Sequence, residues 1–123
     1  MYDAKGEMKI VKKSLSLKKS SEFQRILKKG KWIRGEYISV YILPNTKNTN
    51  YLGIAVRKKG INSVKRNRIK RLIRESYKNT ENSVVLGYNI VVVWKSKNKF
   101  ENATYDNISN DISKCLQKAN MIK

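Results

Sequence analysis

The sequence predicts an α+β domain, a small mixed β-sheet with helices packed on it. Three observations carry that expectation. Tyr37–Leu43 and Tyr51–Arg57 alternate apolar residues with others at the two-residue period of a half-buried strand. Tyr88–Lys95, YNIVVVWK, is apolar almost throughout, as in an interior strand covered on both faces. Three other stretches repeat apolar residues at the i, i+3, i+4 spacing of a helix face. A length of 123 residues with 40% hydrophobic content fits one domain with one core. Residues 1–14 read as a basic flexible arm and 15–123 as the domain, with no internal repeat and no long linker.

In chain order, the first helix spans Ser20–Lys29. Ser20 or Ser21 can cap it, Glu22 suits the positive end of its dipole, and Lys28 and Lys29 suit the other end. Gly30 is placed for a left-handed stop, and Phe23, Ile26 and Leu27 share the apolar face. A short strand is expected near Trp32–Ile33. In Tyr37–Leu43, Ile38, Val40 and Ile42 form the apolar side, while Tyr37, Ser39 and Tyr41 form a polar and aromatic side that is not fully buried. Pro44–Asn50 is a turn and polar loop. In Tyr51–Arg57, Leu52, Ile54 and Val56 face one way; Gly53, Ala55 and Arg57 face the other and leave room on the sheet. The short loop predicts an antiparallel hairpin of these two strands. A basic helix follows, capped by Asn62 or Ser63. At about 100° per residue, Ile69, Leu72, Ile73, Ser76 and Tyr77 fall in one sector. Asn67, Arg68, Lys70, Arg71, Arg74 and Lys78 fall opposite them. The last helix covers Asn102–Ala119, with Tyr105, Ile108, Ile112, Cys115 or Leu116, and Ala119 at helical spacing.

The formal net charge is +19, from 28 Lys+Arg against 9 Asp+Glu. Such an excess calls for an anionic partner, with nucleic acid first and an anionic membrane surface second. The apolar seam of the basic helix, which serves a protein core, disfavours the membrane. Catalytic chemistry on the chain itself finds little support. There is no histidine, which removes His-based acid–base catalysis and the usual zinc sites. The carboxylates show no metal-ligand spacing, and neither GxxxxGK[ST] nor GxGxxG occurs. Cys115 stands alone and reads as a small core residue, consistent with a reducing compartment. No apolar run approaches the roughly 20 residues of a membrane span, and the first residues lack the apolar stretch of a signal peptide. A cytoplasmic location is expected.

Two constellations suit RNA. Arg66, Arg68, Arg71 and Arg74 can fork onto phosphates, Lys70 adds charge, and Asn67 can bond a base edge or a phosphate. Phe23 and Tyr41, near Ser39, Ala55 and Arg57, suit the stacking of single-stranded bases, although the same rings could simply pack the first helix on the sheet.

Over Gly53–Ser76, GIAVRKKGINSVKRNRIKRLIRES, the chain resembles the bacterial ribonuclease P protein family; LKKSSEF, Leu17–Phe23, is a second match. The resemblance implies an α-β-β-β-α-β-α order, similar to a domain of a ribosomal small-subunit protein, with a left-handed βαβ crossover through the RNR helix. It implies a subunit of an endoribonuclease that removes the 5′ leader of precursor tRNA. The chemistry and its magnesium ions would then belong mainly to the RNA subunit, with no metal site, membrane or small-molecule substrate for this chain. By position, Arg66, Asn67, Arg68, Lys70, Arg71 and Arg74 would bind the RNA subunit. Phe23, Leu27, Tyr41, Ala55, Arg57, Lys58 and Lys59 would line the leader cleft. Leu27 stands where the family often has a second aromatic. Trp94 replaces a common Arg and offers a stacking platform at the strand end. Gly60 comes one residue earlier than the family's usual glycine. The rival reading is a non-catalytic RNA-binding module such as a ribosomal protein or RNA chaperone.

Overall fold

The most apolar strand takes the centre of the sheet. In the computed structural model, which describes residues 14–58 and 60–122, the elements are β1 (Leu15–Ser16), α1 (Ser20–Lys29), β2 (Lys31–Arg34), β3 (Ile38–Pro44), β4 (Tyr51–Ala55), α2 (Ser63–Lys78), β5 (Tyr88–Trp94) and α3 (Tyr105–Lys118). Short 3-10 turns at Glu81–Ser83 and Phe100–Asn102 precede β5 and α3. The sheet order is β1-β4-β5-β3-β2. The architecture is α+β with a mixed sheet, as expected, and β4, α2 and β5 form a parallel βαβ unit.

The expected hairpin does not form. β3 runs antiparallel and β4 parallel to β5, which separates them. The cause is coverage: β5 is apolar on both faces, so the position with two strand neighbours and two covered faces buries the most apolar surface. The loop between β3 and β4 bridges the gap. Asn45 Nδ2 donates to the Thr49 carbonyl and to Asn89 Oδ1 of β5. The buried Asn50 donates to the Val85 carbonyl and accepts from the Tyr88 amide, fixing the entry to β5. β2 forms where a short strand was expected and pairs antiparallel with β3. The two-residue β1, parallel to β4, is too short to leave a periodic signal.

The two faces of the sheet differ. Ile33, Ile38, Val40, Ile42, Ile90, Val92 and Trp94 join Ile69, Leu72, Ile73, Ile108, Ile112 and Leu116 in the main core. α2 and α3 therefore share one face. The opposite face, in register rows across β2-β3-β5-β4, carries Trp32–Tyr41–Val91–Gly53 and Arg34–Ser39–Val93–Ala55. α1 crosses this face, contacting β3 and β5, with Ile26 fully buried.

Several local expectations change. α1 starts at Ser20 itself, so neither serine is the cap; Lys19 holds that position without a side-chain cap bond. Gly30 has φ −71° and is not a left-handed stop. It is needed for close approach, because a Cβ there would lie 2.5 Å from the Ile26 carbonyl oxygen and 3.1 Å from that of Ile42. Ser39 is only 7% exposed, so the second side of β3 is more covered than its polarity implied. In α2 the cap is Asn62, whose side chain accepts from the Lys65 amide at 2.9 Å. Its buried residues are Ile69, Leu72, Ile73, Ser76 and Tyr77, the sector the periodicity picked out. α3 begins at Tyr105 behind the cap Thr104, since Phe100–Asn102 form their own turn. Asp111 lies in its buried face, where Oδ2 accepts the amides of Tyr37 and Ile38 at 2.5 and 3.1 Å. A carboxylate satisfied by two backbone donors can sit in a core that a hydrophobic pattern would deny it. Of the arm expected at 1–14, only Ser14 is among the described residues. Its hydroxyl pairs with the Tyr77 hydroxyl at 2.6 Å and its amide donates to Glu81 Oε2 at 3.0 Å.

Candidate nucleic-acid interface

Burial of one side of α2 fixes where its cations stand. Ile69, Ile73 and Tyr77 are almost wholly covered, and each large apolar side chain contributes about 1.5–3 kcal/mol to docking the helix. Asn67, Arg68, Arg71 and Arg74 are exposed, while Arg66 and Lys70 are partly buried along the flank nearer Tyr77. All six expected RNA-subunit contacts thus lie off the buried seam on one rigid helix. Lys65 turns another way, with its ammonium 5.1 Å from the Phe100 ring centroid.

The second constellation gathers on the α1 face of the sheet. Phe23 lies against Gly53: a Cβ at residue 53 would meet the Phe23 ring at 2.6 and 2.7 Å and Leu17 at 3.0 Å. The room expected at Gly53 is therefore filled from within by Phe23. Packing and ligand contact are compatible here, because Phe23 is only partly buried, as are Leu27, Tyr41 and Ala55. Arg57 and Lys58 follow β4 and are exposed. Lys59 lies outside the described residues.

One member of the cleft set, Phe23, and two of the α2 set, Lys70 and Arg74, come together at the β1/β4 edge. A groove of about 330 Å³ there is lined by Leu17, Phe23 and Gly53 on one side and by Lys70, Arg74 and Tyr77 on the other; Leu27, Tyr41, Ala55, Arg57 and Lys58 do not line it. A polyanion on α2 and a single strand at Phe23 would be neighbours. A larger cavity, about 530 Å³, lies on the other flank of α1, between Lys18, Lys19 and Arg25 of the helix side and Lys47 and Tyr51 of the loop side. None of the expected site residues lines it, so size does not select the site here.

Two expectations for aromatic and thiol groups are settled by burial. Trp94 is 4% exposed, lies in the main core and stacks on Tyr37 with ring centroids 6.5 Å apart. It is not a stacking platform at the strand end, because its register opposite Ile38 turns it to the core face. The exposed indole is instead that of Trp32, a residue the sequence reading did not single out, 55% exposed and opposite Tyr41. The alternation around buried Ile33 was the signal that could have found it. Cys115 is buried; desolvation and then the neighbouring Asp111 push its thiol pKa above the ordinary range, as suits a core residue rather than a nucleophile. Among the described residues, no group of three or more His, Cys, Asp or Glu could hold a metal ion. Among them, too, no helix is long and apolar enough to cross a membrane.

A sheet face with partly exposed aromatics, next to an arginine-rich helix docked by its apolar side, defines an RNA-binding α+β protein. The comparisons make this particular. The family model described as Ribonuclease P matches residues 11–120. The ribonuclease P protein component of Clostridium kluyveri is 36% identical over 109 residues, covering 87% of this chain and 96% of that one. The structure of the Staphylococcus aureus RNase P protein superposes with a TM-score of 0.77 at 34% identity, covering 90% of this chain and all of that one. The Thermotoga maritima RNase P protein gives 0.75 at 28% identity, covering 84% and 96%. The chain belongs to the ribonuclease P protein family. It is thus related to the protein component of an endoribonuclease whose catalysis is performed by RNA, and ribonuclease P RNA is its partner. The absence of a catalytic set from the sequence has its explanation there.

Proposed function

We propose that the chain holds ribonuclease P RNA on Arg66, Asn67, Arg68, Lys70, Arg71 and Arg74 and the 5′ leader of precursor tRNA in the cleft of Phe23, Leu27, Tyr41, Ala55, Arg57, Lys58 and Lys59. The observation that carries the reading is the groove in which Phe23 and Gly53 face Lys70 and Arg74. A leader bound there lies beside the RNA subunit, so protein binding energy favours precursor over mature tRNA. Magnesium enters through the RNA. The protein's contribution is charge: cations fixed on α2 lower the repulsion between two RNAs, which otherwise requires more magnesium. A cytoplasmic location, where tRNA precursors are processed, goes with this reading.

The experiment adds the purified chain to a cognate ribonuclease P RNA and precursor tRNA at low magnesium. Stimulated leader removal is expected. RNA binding without any stimulation would instead favour a plain RNA-binding module.

A further inference from the structure

We propose, building on the leader-cleft reading, that Trp32 is an additional stacking platform that extends the cleft across the edge strand β2 and holds a leader nucleotide farther from the RNA subunit than those at Phe23 and Tyr41. Trp32 pairs directly with Tyr41, so both side chains stand on the α1 face. It is 55% exposed on a strand whose other neighbours are Ile33, turned into the core, and Arg34, exposed on the same face as Trp32. An indole with that much free surface has more apolar area than a cross-strand pair requires, and every nucleobase presents a matching π-face.

The spacing suits a single strand. Neighbouring strands lie about 4.8 Å apart, which puts Trp32 one strand beyond Tyr41 and about 14 Å from Gly53, where Phe23 sits. The three rings therefore mark one register row on the α1 face, in which Val91, between Tyr41 and Gly53, is buried beneath α1. The β4 end of the row opens into the groove shared with Lys70 and Arg74, and its β2 end is the edge of the sheet. A leader entering beside the RNA subunit reaches Trp32 last. Arg34, one position along the same face and opposite Ser39, supplies a cation for the backbone phosphate at that point.

The test uses the assembled protein–RNA complex and precursor tRNAs with leaders of increasing length. Trp32→Ala should weaken binding of long-leader precursor about tenfold, the lower part of the range for one stacked base. It should leave a very short leader and mature tRNA unaffected, and Trp32→Phe should restore part of the loss. Tryptophan fluorescence of the unaltered complex should be quenched by long-leader precursor alone, against a constant background from buried Trp94. Equal weakening for every substrate, or none for any, would overturn the proposal; a loss of thermal stability with no length dependence would mark Trp32 as a cross-strand packing residue only. Tyr41→Ala separates the two levels. If it weakens precursor binding and Trp32→Ala does not, the cleft stands and its extension fails; if neither acts, the cleft reading fails as well.

Discussion

Replacing Arg68 and Arg71 together by Ala tests whether the outer face of α2 is an RNA contact surface. Both residues are exposed, and neither belongs to the buried set Ile69, Leu72, Ile73, Ser76 and Tyr77. The folded protein should therefore lose no more than about 0.5 kcal/mol of stability. Binding should respond very differently. Each phosphate neutralised adds about 0.7–0.9 to the slope of log affinity against log salt. Over an approximately fourfold rise in salt, one contact is then worth about a factor of three. Five of the expected contacts on this helix are cations, so the unaltered chain should lose roughly two to three powers of ten in affinity across that range if each meets a phosphate; the neutral Asn67 adds nothing to the slope. The double variant should lose about tenfold less and show a slope smaller by about 1.4–1.8. The assay is equilibrium binding of ribonuclease P RNA across a salt series, with Lys114→Ala on α3 as an exposed control. A slope equal to that of the unaltered chain would place the RNA elsewhere on the protein. A slope change shared by the Lys114 variant would reduce the effect to net charge.

Other perturbations address the scaffold and the cleft. Gly53→Ala drives a Cβ into the Phe23 ring and should cost about 1–3 kcal/mol in denaturant unfolding while altering leader binding. Loss of neither would mean that Phe23 is free to move off the sheet. Ile69→Ala, at a fully buried position under the RNR segment, should cost about 2–5 kcal/mol and loosen the cation array; a cost below that range would show that α2 is held mainly by other contacts. Alkaline pH should destabilise the fold. Burial raises the pKa of Tyr77 and of Cys115 above their ordinary values, so the unfolded chain releases these protons first. The native state then binds more protons than the unfolded one, and stability falls as pH climbs through roughly 8.5 to 10 and beyond. Urea titrations at stepped pH check this, and Cys115→Ser together with Tyr77→Phe should flatten that slope.

Most of α2 was legible in the sequence, because helix geometry is local. Three and four residue steps bring Ile69, Leu72, Ile73, Ser76 and Tyr77 together whatever the rest of the chain does. The outward cations then follow by exclusion, and the RNR pattern gave the family. The existence of the strands other than the two-residue β1 was equally readable, since side-chain alternation is a property of each strand alone. Strand partners were not. The hairpin expected from a short loop yields to β5, forty residues downstream by rough count, because pairing is decided by which strand most needs cover on both faces.

The same division runs through the site. The sequence by itself determined a basic RNA-binding domain without catalytic groups, an arginine-rich helix with its inner face specified, and a set of aromatics near small residues. Only the tertiary structure decided that Phe23 rests on Gly53, that the groove beside it reaches Lys70 and Arg74, and that Trp94 belongs to the core while Trp32 belongs to the surface. The physical reason is register. Within a strand, sequence says which residues share a face, but only the alignment of one strand on its neighbour and the helix laid over it determine which face meets solvent and which ring meets another.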